Sequence, residues 1–220
     1  MRTTWRWPRD HDEGDLIVSE MDEVIPALVA AVQEQHATGD HYRDDAIRQA
    51  MEHQAQLALR PGPVRVDVIV DPPWSDGQIN SVQVVTGDRP FLVDTVASCL
   101  LRHGWRVEDV RHPIIGVKRD RGTIEAVGMP GRGGCASESW IHIDATAPLG
   151  TDIGQAAEQL RDDLCACLDQ VVCATDDWGA MHEAMLRTAE LVSASSGPAD
   201  DRDSSRELLE WLVEVEVARW

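Results

Sequence analysis

Lysine, tyrosine and phenylalanine are almost absent from this sequence. Its 220 residues contain one of each, Lys118, Tyr42 and Phe91, but eight tryptophans. The core must therefore be built from Val, Leu, Ile and Ala, with tryptophan at its edges or in interfaces. No apolar run approaches the ~18 residues that cross a bilayer, and no apolar segment follows the basic start. Neither a membrane span nor a secretory signal is predicted, and we expect a cytoplasmic protein.

Positive charge is scarce as well. The chain has 39 acidic and 20 basic side chains, which gives a formal net charge of −19. A surface of this sign repels duplex DNA and anionic membranes, so we predict neither a nucleic-acid nor a membrane partner. One locally basic stretch supports the opposite hypothesis of phosphate or nucleic-acid binding, through Arg111, Lys118, Arg119, Arg121 and Arg132.

The cysteines do not indicate a disulfide framework or a metal site. There are five, an odd number, in a sequence with no export signal, which favours free thiols. Cys165 and Cys167 are two residues apart, and on a helix such side chains point to different faces. No metal site is therefore predicted.

Hydrophobic periodicity gives a coarse order of elements. The predicted elements are helices at 15–32 and 42–59, strands at 64–70 and 79–86, a helix at 91–103, an extended stretch at 105–117, a strand at 139–144, and helices at 152–172, 178–192 and 208–217. Residues 119–138 are rich in Arg, Gly and Pro and predict a mobile hairpin or excursion.

This order predicts an α+β fold: a ferredoxin-like antiparallel sheet with helices on one face, preceded and followed by helical segments. The strand at 64–70 is expected at the sheet edge that a βαββαβ unit fills from its C-terminal end, giving a permuted ββαββα order. Residues 170–175 are the alternative source of that edge strand. The predicted organisation is an N-terminal helical segment at 1–60, an α+β domain at 61–192, a linker at 193–205 and a C-terminal helix at 206–220.

The junction after the second strand, Gly87 to Phe91, resembles the Asp-Arg-Pro-Gly opening of an ACT domain. Pro90 suits a first helical turn because its φ is fixed, and Asp88 can cap the free amides there. Those amides could receive a ligand carboxylate. Phe91 stands where ACT domains usually have Gly, and its side chain narrows the approach of a ligand to the backbone. The resemblance predicts a weak ligand site at Gly87, Asp88, Arg89, Pro90, Phe91 and Asp94; the alternative is that Asp88 and Pro90 only start a helix.

A longer match is more specific. Residues 84–96 resemble the stretch VVTDDMPFLVDSV of the large, multidomain, bacterial NAD-dependent glutamate dehydrogenases. Further stretches match the same family: 110–115, 119–120, 138–143, 177–178 and 208–212. The resemblance covers roughly residues 60–213, and it implies the N-terminal, ACT-like region of such an enzyme.

The resemblance also implies what this chain does. The family oxidatively deaminates glutamate to 2-oxoglutarate with NAD, but its catalytic residues lie far beyond this region. We therefore expect no catalytic residue and no cofactor in this chain, but a regulatory or assembly module that senses an amino acid or positions subunits. The expected partners are a second copy, other domains of a large dehydrogenase and an amino-acid effector.

A second hypothesis comes from another functional class. His112 and His142, with Glu138 and Asp144, could form a site for a stand-alone small-molecule-binding protein or acid–base enzyme. Alternation places His142 and Asp144 on one face of their strand and the isoleucines on the other. If the isoleucine face meets the helices, His142 faces solvent or a partner.

Overall fold

A computed structural model describes residues 16–17, 25–31, 44–75 and 77–217. The elements are β1 (Leu16–Ile17), α1 (residues 25–31), α2 (Asp44–Ala58), β2 (Val64–Ile69), β3 (Asn80–Gly87), α3 (Leu92–Arg102), β4 (Arg106–Arg111), β5 (Ile114–Asp120), β6 (Thr123–Gly128), β7 (Ala136–Thr146), α4 (Ile153–Asp176), α5 (Trp178–Ser193) and α6 (Ala199–Val217). No helix in these ranges is long and apolar enough to cross a membrane.

The strands form one antiparallel sheet in the order β1–β6–β5–β7–β3–β2, and β4 also pairs with β7. β4 and β5 lie end to end along one edge of β7, with Arg111 opposite His142 and Ile114 opposite Ser139. The strand pairing with β7 is interrupted between them at Pro113, which has no N–H to donate to a backbone hydrogen bond. The α+β, ferredoxin-like prediction is confirmed.

β2 lies outside β3, with Val66 opposite Val84, and so takes the edge place of the permuted order. Residues 170–175 belong to α4, so they do not supply that strand. The alternation of β2 and its short connection to β3 explain this choice, because neighbours in sequence pair most easily.

Both faces of the central strands are buried. On one face, Val85 and Trp140 pack in an apolar cluster with Leu28 of α1 and Met51 of α2. On the other, Ile141 is fully buried. The N-terminal helical segment therefore packs on the sheet over its described part. Trp105 and Trp140 are also fully buried, which corrects the expectation that tryptophan lies only at edges and interfaces.

Two segments, residues 16–17 and residues 119–138, differ in detail from their predicted structure. Leu16 and Ile17, predicted as helical, form a short strand opposite Val127 and Ala126. Residues 119–138, predicted as a mobile hairpin or excursion, contain β6, which forms a hairpin with β5 across the two-residue turn Arg121–Gly122. Both turn residues have positive φ, 47° and 89°, as tight hairpins require. An Arg-Gly pair is a weak hairpin signal, so the sequence indicated a hairpin in this range without placing its turn or the strand β6.

The chain divides into two compact units, residues 1–169 and 170–220. The second contains α5 and α6, which pack on each other. The predicted linker at 193–205 is wrong from Ala199 onwards, because α6 begins there with Asp200 and Asp201 in its first turn. Acidic residues at that position stabilise a helix start through its dipole. The other predicted domain boundaries stay predictions.

Candidate functional site

The loop between β3 and α3 is held to the sheet at its first residue. The N–H of Asp88 donates to the carbonyl of Ser137 in β7 at 2.9 Å. α3 begins at Leu92, and its cap residue Phe91 has a left-handed backbone with φ 70°. The side chain of Phe91 gives no capping hydrogen bond and the residue is 46% exposed. Pro90 therefore precedes the helix instead of forming its first turn, which corrects the sequence prediction.

The carboxylate of Asp88 contacts β7, and capping of α3 by Asp88 stays a prediction. Its Oδ1 accepts a hydrogen bond from the Ser139 hydroxyl at 2.6 Å, and the same Ser139 Oγ lies 2.9 Å from Nε2 of His112. Since a carboxylate only accepts, the hydroxyl donates to Asp88 and accepts from the His112 N–H. This polar cluster links three elements: the loop, the break between β4 and β5, and β7.

The electrostatics of this cluster favour a neutral imidazole. Burial lowers the pKa of His112 below its usual value of 6.5, while the nearby Asp88 carboxylate partly opposes the shift. Desolvation is the larger of the two effects, because a half-buried imidazolium loses much of its hydration.

The cluster has the residue types of a serine nucleophile site but not its arrangement. In such a site the histidine lies between the serine and the acid and removes the serine proton. Here Ser139 lies between Asp88 and His112, its hydroxyl already donates to the carboxylate, and the residue is fully buried. The arrangement positions the loop and offers no activated nucleophile.

His142 lies in a separate cluster on the other face of β7. Its Nε2 is 3.1 Å from Oδ1 of Asp144 and 3.2 Å from Oγ of Ser81. His142 is 5% exposed and Asp144 2% exposed, so the expectation that His142 faces solvent or a partner is wrong. The physical reason is α2, which covers this face. The structure does not bring His112 and His142 together in one site.

Gln83 connects the His142 cluster to α2, and sequence analysis missed it. Its Nε2 donates to the carbonyl of Ala50 at 2.9 Å, which fixes the orientation of the amide because a carbonyl only accepts. The same Nε2 lies 3.2 Å from Nδ1 of His142, and Oε1 lies 2.8 Å from Nδ1 of His53. Nδ1 of His142 is therefore the acceptor. A glutamine in the middle of the valines of β3 was the available signal.

Three cations of the locally basic stretch are paired with carboxylates. Arg111 contacts Asp144 at 2.7 Å, and Arg119 contacts Glu138 at 2.6 Å. Lys118 lies 3.7 Å from a carboxylate on β6. This pairing within the sheet weighs against the phosphate and nucleic-acid hypothesis.

The comparison with known protein families covers the loop, both polar clusters and most of the sheet. Residues 28–164 match a family model described as the ACT1 domain of glutamate dehydrogenase. The matched range begins at Leu28 of α1, which packs on the sheet, and ends at Leu164 of α4. This chain belongs to the glutamate dehydrogenase ACT1 domain family.

Proposed function

We propose that this chain is a regulatory module of an NAD-dependent glutamate dehydrogenase and that it senses an amino acid at the loop from Gly87 to Asp94. An ACT domain is not itself catalytic, so the chemistry of the parent, oxidation of glutamate to 2-oxoglutarate, belongs to other parts of the enzyme. The observation that carries the proposal is the N-terminus of α3, whose backbone amides lie beside the exposed carboxylates of Asp88 and Asp94.

The first turn of α3 offers amide donors without a capping side chain from Phe91. These amides and the helix dipole favour a carboxylate. Asp88 and Asp94 are exposed, and carboxylates at these places suit an ammonium group. Charges of both signs fit the zwitterion of an α-amino acid better than a simple anion.

The test is calorimetric and thermal titration of the full chain with a panel of amino acids and with 2-oxoglutarate. We expect an amino acid to bind and 2-oxoglutarate, which lacks the ammonium group, to bind much more weakly. A bound ligand stabilises the fold by about 2.7 kcal/mol at a hundredfold excess over its Kd.

The informative variant is Asp88→Asn, which removes the charge but keeps an oxygen for the Ser139 hydroxyl. Asp120→Asn, which removes an exposed charge at the end of β5, is the matched control. Binding should be lost in the first variant and kept in the second. A full panel with no binding would refute the sensing role.

Assembly is a second candidate role, favoured by the position of β2. Among the described residues this strand pairs only with β3, so its outer backbone groups can pair with another strand. Light scattering on the same samples tests it. A dimer or larger species supports assembly, and a monomer at every concentration contradicts self-association.

A further inference from the structure

Two thiols and a guanidinium meet between α3 and α4. The Arg102 guanidinium donates to Sγ of Cys167 at 3.1 Å. The thiol of Cys99, one helical turn before Arg102, is within hydrogen-bonding reach of both Arg102 and Cys167. Nε2 of His103, the residue after Arg102, contacts Oδ2 of Asp163, one turn before Cys167 in α4, at 2.8 Å. These contacts place two cysteines that are distant in sequence side by side.

The two thiols differ in access. Cys99 is fully buried, and burial raises the pKa of its thiol. Cys167 is partly exposed and lies against Arg102, which is itself exposed. A cation beside an accessible sulfur favours the reaction of that sulfur with small oxidants. Reactive cysteines of this kind often lie next to a second cysteine, which resolves the oxidised sulfur by forming a disulfide.

Cys165 provides an internal comparison on the same helix. It is also partly exposed, but its neighbours Asp169 and Asp162 are carboxylates. Burial and then these negative charges raise the pKa of the Cys165 thiol. The two cysteines have similar exposure, but the carboxylates at Cys165 outweigh its one nearby cation, Arg161, while Cys167 lies against Arg102 and a second thiol.

We propose that Cys99 and Cys167 form a reversible, peroxide-driven disulfide that ties α3 to α4. The Cys167 thiolate attacks one peroxide oxygen, the O–O bond breaks, and the leaving hydroxide takes up a proton as water. The sulfenic acid on Cys167 is then attacked by the Cys99 sulfur, the S–O bond breaks, and a second water leaves. Two thiols are oxidised and one peroxide is reduced to two waters. A low-molecular-weight thiol reverses the bond by exchange.

The test is stoichiometric hydrogen peroxide on the reduced full chain, followed by alkylation and non-reducing peptide mapping. We expect a cross-link between the peptides that contain Cys99 and Cys167, a mass lower by two hydrogen atoms, and full reversal by dithiothreitol. Cys165→Ser and Cys173→Ser should leave the cross-link unchanged.

Two variants separate the steps. Cys99→Ala keeps the buried position apolar, so the fold is retained, and it should accumulate a sulfenic acid on Cys167 that dimedone traps. Arg102→Gln should slow the peroxide reaction several-fold without changing the site of the cross-link. Over-oxidation of Cys167 without a cross-link, a cross-link through Cys165, or equal rates in the wild-type and Arg102→Gln chains would overturn the proposal.

Discussion

Phe91 is a large side chain on a backbone conformation that normally requires glycine. Its φ of 70° lies in the left-handed region, where a Cβ costs roughly 1–2 kcal/mol. Nearly half of the residue is exposed, so its burial offsets only part of that cost. The turn from β3 into α3 imposes the conformation, because the chain must reverse direction within Asp88 to Phe91.

We expect Phe91→Gly to be about 1 kcal/mol more stable than Phe91→Ala, since only glycine adopts this φ without strain. The alanine variant is the matched control because it loses the same ring but keeps the strained Cβ. Urea unfolding of both variants measures the difference. Equal midpoints would show that the turn relaxes.

His112 makes the stability of the fold depend on pH. Burial lowers its pKa in the folded state below 6.5, so the unfolded chain binds more protons in this range. Its contribution is fully present above pH 6.5 and is lost as the pH falls through the folded pKa.

Acidification from about pH 7.5 to about pH 5 should therefore lower the urea midpoint of unfolding. In His112→Gln the midpoint should fall less steeply with pH than in the wild type. Urea unfolding across the pH series measures it. Gln49→Met, which replaces an exposed residue of α2 that does not titrate, is the control and should keep the wild-type dependence on pH. An unchanged slope in His112→Gln would contradict the assignment.

At the scale of elements, α2 is attached to the sheet by polar as well as apolar contacts. Gln83 contacts the Ala50 carbonyl, His53 and His142, and Gln54 of α2 donates to the Ile141 carbonyl at 2.9 Å. Buried polar groups of this kind stabilise only while all of them are paired. The position of α2 thus depends on these buried amide contacts as well as on apolar packing.

Gln83→Met keeps the length of the side chain but leaves its partners unpaired, so we expect a loss of about 3 kcal/mol. Gln49→Met, on the exposed side of α2, should change the stability by less than about 0.5 kcal/mol. Urea unfolding compares the two. A loss of similar size in both variants would mean that the network contributes little.

At the scale of the whole molecule, the net charge of −19 acts against the compact state. Sodium chloride screens this repulsion, while buried pairs such as Arg119 with Glu138 are screened much less. We expect the unfolding midpoint to rise as salt increases from low concentration to about 0.5 M. Circular dichroism in a urea series measures it, and a falling midpoint would mean that ion pairs outweigh the repulsion.

Local patterns were sufficient for much of the fold. The valines of β2 and β3, the Gly87–Phe91 junction and the apolar spacing of α3 predicted the centre of the sheet, and the motif around residues 84–96 identified the family. The position of β6 within its predicted hairpin and the start of α6 were missed because an Arg-Gly turn and a short Asp-rich segment carry weak local signals.

Local sequence patterns predicted only part of the candidate sites. Alternation correctly separated His142 from Ile141, but it could not tell that α2 covers the His142 face. The contacts of Asp88 with Ser139, and of Cys99 with Cys167, join residues far apart in the chain. The sequence by itself determined most of the elements, the loop and the family, because these follow from short-range periodicity and motifs. Only the tertiary structure decided which polar groups meet, because long-range packing brings them together.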